Sequence, residues 1–337
     1  MRKATLLLTS MTLAVLLSCT TVVLMAIQGV AQAATERLTL VGAGDIAECS
    51  QDNNAEATAA LLEGIPGTVL ALGDNAYPDG TRTQYANCYD NYRISDGSVY
   101  DANRTSWWGQ YKARTMPVLG NHEYHSSTVA QPYFDYFSAL NGFKQPQAPV
   151  PNTSANPGLT PGKGYYSYDR GSWHIVALNS NCNKVGGCEK TSAQGKWLRN
   201  NLANTTNKQC TLAYFHDPLY STGNNIPNPN VKPLWQILYN NGAEVIVNGH
   251  AHRYERYAPL TPAGTTDLQK GIRQFVVGTG GAPGGSEIYY DQAPGVEKVE
   301  TGTSGVIKLG LSAGSYSWEF VPIAGQTFTD SGTGSCH

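Results

Sequence analysis

The stretch TVLALGDNAY, residues 68–77, sets the reading of the whole chain. Its first five residues, Thr68–Leu72, form an apolar run of strand length, too short for a helix. Gly73 interrupts the run, and Asp74 and Tyr77 follow at once. One strand ending on a Gly-Asp turn is commonplace. Here four further apolar runs end in the same way. LTLVGAGD ends on Asp45, MPVLGNHE on Asn121, His122 and Glu123, TLAYFH on His216, and EVIVNGHAH on His250 and His252. In open α/β sheets, ligands bind beyond the carboxyl ends of the strands. The five polar clusters are therefore expected to converge on one site at the edge of a sheet.

Strands are predicted at Arg37–Ala43, Thr68–Leu72, Met116–Leu119, Tyr165–Tyr168, Trp173–Asn179, Thr211–Phe215 and Glu244–Asn248. Between them, Asn54–Glu63, Trp107–Ala113, Ser192–Ala203 and Pro233–Asn240 carry apolar residues at helical spacing. From Tyr254 onward the pattern turns strand-like, with Arg273–Val277, Gly305–Leu311 and Ser315–Val321. The chain thus reads as α/β with a mostly β C-terminal part. Asn141–Gly164, rich in proline, and Ser221–Lys232, rich in Asn and Pro, are expected to be long surface loops within one domain.

The composition excludes several classes. The 337 residues carry 23 Lys+Arg against 25 Asp+Glu, and charged residues make up only 14%, against about 25% in ordinary soluble domains. A disordered acidic chain needs a high net charge, and a nucleic-acid binder usually shows a basic excess. No nucleic-acid partner is expected. Arg2 and Lys3, an apolar run from Ala4 to Ile27 and the Ala31-Gln32-Ala33 site read as a signal peptide over residues 1–33. That leaves 34–337 as a single catalytic domain, secreted or extracytoplasmic, with no stable membrane anchor after cleavage. An uncleaved anchor is the alternative. Cys19 leaves with the signal, and six cysteines remain. An even number in an exported chain suggests disulfides. Cys182–Cys188 is the one pairing that sequence proximity offers; no C-x-x-C pair supports a zinc knot.

The ordered set GD, GDxxY, GNHE, a strand-terminal His and GHxH, spread over Leu38–Gly281, resembles the calcineurin-like metallophosphoesterase superfamily. Within it, the Tyr of GDNAY and the run GHAHRYER resemble the purple acid phosphatases. The resemblance implies a four-layer α-β-β-α sandwich of the metallophosphatase type and two metal ions. One ion would be held by Asp45, Asp74, Tyr77 and His252, the other by Asp74, Asn121, His216 and His250, with Asp74 bridging. The charge count agrees with that division. Two carboxylates and a phenolate suit Fe(III), whereas a set that is neutral apart from the shared Asp74 suits a divalent Zn, Mn or Fe ion. The implied reaction is hydrolysis of small phosphate monoesters by in-line attack of a metal-bound hydroxide, with no covalent enzyme intermediate. A phosphodiesterase or nucleotidase would share this site. A non-catalytic extracellular metal- or phosphate-binding protein is the rival of another class.

His122 does not occupy a ligand position in the family pattern; it is expected to hydrogen-bond the phosphate or protonate the leaving alkoxide. Asn121 is expected to touch substrate as well, and Glu123 to orient His122 or a ligand. His174 is expected to be structural. His125 and His337, without motif support, are expected in solvent. Two departures stand out. Purple acid phosphatases often carry further histidines shortly after the fourth motif, and Ser221–Asn225 contains none; Asp217 stands where some relatives place a second His. Arg253, Tyr254 and Arg256 suit either phosphate contact or packing, and Gly278–Gly281 reads as a tight turn near the site.

Overall fold

The computed structural model describes residues 38–49, 53–91, 103–137, 163–205, 208–224, 226–284, 288 and 293–337. The signal expected at 1–33 and most of the proline-rich stretch 141–164 lie outside the described residues. The strands are β1 (Leu38–Ala43), β2 (Thr68–Leu72), β3 (Thr115–Val118), β4 (Tyr166–Arg170), β5 (Trp173–Ala177), β6 (Cys210–Tyr214), β7 (Val245–Asn248), β8 (Tyr254–Leu260), β9 (Ile272–Val277), β10 (Val296–Glu300), β11 (Gly305–Ser312), β12 (Ser315–Pro322) and β13 (Ser331–Ser335). The longer helices are α1 (Ala55–Gly64), α2 (Gln131–Phe137), α3 (Ala193–Ala203) and α4 (Lys232–Asn240).

The strands form two mixed sheets, ordered β13-β12-β11-β1-β2-β3 and β10-β8-β9-β7-β6-β5-β4. β1, β2 and β3 run parallel in the first sheet, and β5, β6, β7 and β9 in the second. Side chains alternate between the faces of a strand, and the burial follows that period. Leu212, Tyr214, Val245, Val247, Phe275 and Val277 share a core with the first sheet. Ala213, Phe215, Ile246 and Val276 pack instead with Leu198 of α3 and with Leu234, Trp235 and Leu238 of α4. On the opposite flank Ala55, Ala59 and Leu62 of α1 cover the first sheet. The result is the four-layer α-β-β-α sandwich. Strands buried on both faces read as continuous apolar runs, which is why the central ones were legible.

The differences from the sequence reading have physical causes. Trp107–Ala113 is realised as a 3-10 helix, Trp108–Arg114. The stretch Ser221–Lys232 contains a 3-10 turn, Pro229–Val231, and gives Lys232 to α4. α2, QPYFDYF, packs five consecutive residues inward, so no one-sided stripe marks it. β13, SGTGS, offers no apolar residue and is held by backbone pairing to β12. β8 was hidden by its charges. Glu255 is fully buried but accepts hydrogen bonds from Ser221 Oγ, Thr222 N, Thr222 Oγ1 and Tyr257 Oη. Arg256 Nε and Tyr254 Oη donate to Asp330 at 2.7 and 2.8 Å, and Trp318 Nε1 of the first sheet donates to it at 3.1 Å. Tyr254 and Arg256 therefore pack the two sheets together, and Arg253 is buried beside Glu255.

All six cysteines of 34–337 pair: Cys182–Cys188 as anticipated, together with Cys49–Cys88 and Cys210–Cys336. The last ties the C-terminus to the start of β6. Among the described residues no helix is long and apolar enough to cross a membrane.

Glu244, buried just before β7, accepts from Thr211 N at 2.5 Å, and burial pushes its carboxyl up to about 7. An acid whose pKa is raised on folding stabilises the fold below its unfolded pKa, and that contribution is lost as pH rises through the folded value. Between pH 5 and 8, Glu244→Gln is therefore expected to gain stability relative to wild type as pH increases. Paired urea titrations across that range check it; parallel curves would refute it.

Candidate metal centre

Five strand ends meet at one place, and they come from both sheets. β1, β2 and β3 of the first sheet deliver Asp45, Asp74 with Tyr77, and Asn121 with His122 and Glu123; β6 and β7 of the second deliver His216, His250 and His252. This corrects the expectation of a single sheet edge. The chain turns sharply to aim these groups. Asp45, Asp74 and His250 have φ of 58°, 49° and 72°, a left-handed conformation that costs side chains roughly 1–3 kcal/mol. Gly73 has φ 89°, and a Cβ there would lie 2.6 Å from His216 Nδ1. Only glycine lets the histidine of the second sheet rest on this turn of the first.

The first four donors touch one another. Tyr77 Oη lies 2.9 Å from Asp45 Oδ1, 3.0 Å from Asp74 Oδ2 and 3.0 Å from His252 Nε2, and His252 Nε2 is 3.2 Å from Asp45 Oδ1. In the second set, donor atoms of Asp74, His216 and His250 all lie within 4.8 Å of each other. His216 Nε2 is 3.1 Å from Asp74 Oδ2. Second-line contacts fix the tautomers. His216 Nδ1 faces Leu72 O at 2.8 Å, His252 Nδ1 faces Pro283 O at 2.5 Å and His122 Nδ1 faces Pro78 O at 2.5 Å. A carbonyl accepts only from N–H, so each ring carries a proton on Nδ1 and leaves Nε2 as the atom free to face the centre.

In the second set Asn121 Oδ1 is buried with no hydrogen-bond partner among the described residues, and buried His216 Nε2 lies against the Asp74 carboxylate. An unsatisfied buried polar atom is costly, and an amide oxygen, a carboxylate and imidazole nitrogens are all donors of the kind a cation takes. The donor set therefore fits hard or borderline cations.

The electrostatics agree. Burial raises Asp74, but His216 and His122 outweigh it and hold the carboxyl far below the usual range. Burial also raises Asp45, and His252 and His216 pull it down. Burial opposes charge on His216 and His252, yet Asp74 and Asp45 raise the first well above its ordinary value, and Asp45 takes the second to about 9. Burial, then Asp45 and Asp74, push the Tyr77 phenol well up. His250 is lowered by burial and by His216. The pocket is thus a sink of negative charge that imidazolium protons balance and that cations can balance instead.

Of the two partners expected for Glu123, its hydrogen bonds reach the backbone of a candidate ligand, Asp74, and not the His122 ring. Fully buried, it accepts from the backbone N–H groups of Asp74, Asn75 and Gly120 at 2.9, 2.8 and 2.7 Å, and from Tyr85 Oη at 3.0 Å. It braces the two loops that carry Asp74 and Asn121. His122 sits at the rim, its N–H donating to Asp74 Oδ1 at 2.9 Å and its Nε2 lying 3.8 Å from Asp74 Oδ2. His174, bonded to Asp169 and Asn201, is structural in its contacts, and His337 is exposed. His125 is exposed but not simply solvated, because its ring packs on His122 with centroids 4.4 Å apart. Gly278–Gly281 lies behind Asp45, where a Cβ on Gly278 would be 2.8 Å from Asp45 Oδ2.

Sequence reasoning missed three contributors. Asp217 is buried, with Oδ1 3.9 Å from His250 Nε2 and Oδ2 accepting from Ser180 Oγ at 2.5 Å. It places a carboxylate beside His250. Tyr85 and Asn75 support Glu123 and the β3 end, with Asn75 Nδ2 donating to Val118 O at 3.2 Å. Neither has a local signature.

A family model described as calcineurin-like phosphoesterase matches residues 38–254. Purple acid phosphatase 15 of Arabidopsis thaliana is 24% identical over 290 residues, covering 80% of this chain and 49% of that protein. A purple acid phosphatase from yellow lupin seeds superposes with a TM-score of 0.63 at 17% identity, over 90% of this chain and 54% of the lupin chain. The anchor protein of the Plasmodium inner membrane complex gives 0.57 at 13% identity, over 87% and 88%. The two structures share the fold. The chain spans about half, or less, of the length of the curated relatives it matches.

Glu123→Ala leaves three buried N–H groups without their acceptor. It is expected to lower unfolding stability by roughly 3 kcal/mol or more. An unchanged urea midpoint would show that the brace carries no such load.

Proposed function

The chain belongs to the calcineurin-like phosphoesterase family, and on that premise we propose that it is an exported hydrolase of small phosphate monoesters working with two metal ions. The carrying observation is the convergence of seven donor side chains from five strand ends, with Asn121 Oδ1 buried and unpartnered and His216 Nε2 against the Asp74 carboxylate. The family implies two ions. Asp45, Asp74, Tyr77 and His252 would hold one, Fe(III) by their anionic charge; Asp74, Asn121, His216 and His250 would hold a divalent Zn, Mn or Fe ion. Such a pair supplies Lewis-acid polarisation of phosphoryl oxygens and a nucleophile made from water near neutral pH.

The chain's own residues do the rest. Asp74 is shared between the two sets, and its Oδ1 is fixed by His122 N. Pro78 O holds His122 Nδ1, so Nε2 faces the centre, ready to bind the phosphate or hand a proton to the leaving oxygen. Asn121 offers an amide beside it. Glu123 keeps both loops in place. Three disulfides suit an oxidising compartment, in keeping with export through cleavage after Ala33.

Metal analysis of the purified chain, combined with kinetics on an aryl phosphate monoester and a diester, tests this reading. About two ions per chain and preferential monoester turnover are expected; full occupancy without hydrolysis of either ester would favour a binding protein. Tyr77→Phe is expected to abolish the visible charge-transfer band and keep the fold. A colourless wild type with zinc at both sites would sink the Fe(III) assignment. His122→Ala is expected to lower kcat by roughly 10²-fold or more with metal content retained; parallel loss of metal would make the residue structural.

A further inference from the structure

Three rings lead out of the metal centre toward solvent. Tyr77 is buried; His122, with its side chain 26% exposed, lies 4.5 Å from it between centroids; His125, 46% exposed, lies 4.4 Å beyond His122. The spacing has a local cause. His122–Tyr124 is a 3-10 turn, and three residues per turn eclipse positions i and i+3, so the rings at 122 and 125 fall on one face. Pro78 O faces both Nδ1 atoms, at 2.5 Å for His122 and 3.3 Å for His125, and Asp79 Oδ1 lies 3.5 Å from His125 Nδ1. These contacts hold the Nδ1 edge of His125 on the same carbonyl that holds His122 Nδ1. No described residue hydrogen-bonds its Nε2.

After β6, Ser221 and Thr222 are locked onto buried Glu255, and this loop carries no histidine. A phosphoryl group at the metal centre needs polar donors around its outer oxygens. Beyond His122, the exposed imidazole packed next to it supplies one.

We propose that His125 is a second substrate-contacting imidazole, its Nε2 hydrogen-bonding an outer oxygen of the phosphoryl group beside His122. The contact rests on the phosphoester-binding reading of the site. It lends affinity for phosphate esters and for inorganic phosphate alike, since the shared phosphoryl oxygen is what it touches.

Glutamine places an amide nitrogen where Nε2 stands, and asparagine places one where Nδ1 stands. The two variants therefore separate contact with substrate from support of Pro78 and His122. On the metal-loaded protein, His125→Ala and His125→Asn are expected to raise both KM for an aryl phosphate and the inhibition constant of inorganic phosphate about tenfold, the scale of one charge-assisted hydrogen bond at a half-open site. His125→Gln is expected to stay within about threefold of wild type, and metal content to be equal in all four proteins. Rescue by Asn but not Gln, or constants unchanged in the Ala variant, would overturn the proposal. Should wild type bind inorganic phosphate with this dependence on His125 but hydrolyse no ester, the contact stands and the hydrolase reading falls. Should wild type hydrolyse esters with no dependence on His125, the contact alone falls.

Discussion

Everything at the centre depends on how closely the two sheets approach at the carboxyl ends of their parallel strands. His216 Nδ1, from the second sheet, meets Leu72 O of the first at 2.8 Å, and Gly44 N of the first donates to Val277 O of the second at 2.9 Å. His250 N donates to Asp45 Oδ2 at 2.7 Å. The sheets are thus joined by hydrogen bonds to the same turns that carry the donor side chains. A shift of one sheet against the other would break these bonds and disperse the donors together.

That junction is expensive to hold in place. It gathers two buried carboxylates, a third at Asp217 nearby, and three residues in left-handed backbone. Burial of like charges opposes folding, and the surrounding structure offsets it. Glu123 satisfies the backbone of the Asp74 and Gly120 turns, and the imidazoles of His216 and His252 balance the carboxylates. Distant from the site, the Tyr254–Arg256–Asp330–Trp318 cluster clamps the same two sheets. Buried Asp45, Asp74, Glu123, Glu255 and Asp330 are each engaged by specific partners.

The motifs were legible because a buried parallel strand is an apolar run, and each run ended on a glycine or polar turn whose side chains had nowhere apolar to go. The central strands β1, β2, β5, β6 and β7 therefore stood out. β8 did not, because its buried Glu255 is satisfied by Ser221, Thr222 and Tyr257, residues that no local pattern links to it. Nor did β13, whose Ser-Gly alternation carries no hydrophobic signal. The packing of His125 on His122 was within reach of the sequence, since GNHEYH puts two histidines three apart. The 3-10 turn that eclipses them shows only in the backbone.

By itself, the sequence determined which residues carry chemistry and that they share one kind of position, the end of a strand. It did so because residue type and local apolar runs are properties of the chain alone. Tertiary structure decided that the donors come from two facing sheets rather than from one sheet edge, and that Glu123 acts on the backbone of the Asp74 and Gly120 turns. It also sent Arg256 and Tyr254 to Asp330 and brought Asp217 to His250. Each of these depends on contacts between segments far apart in the chain, where the partner, not the residue's own neighbourhood, sets the role.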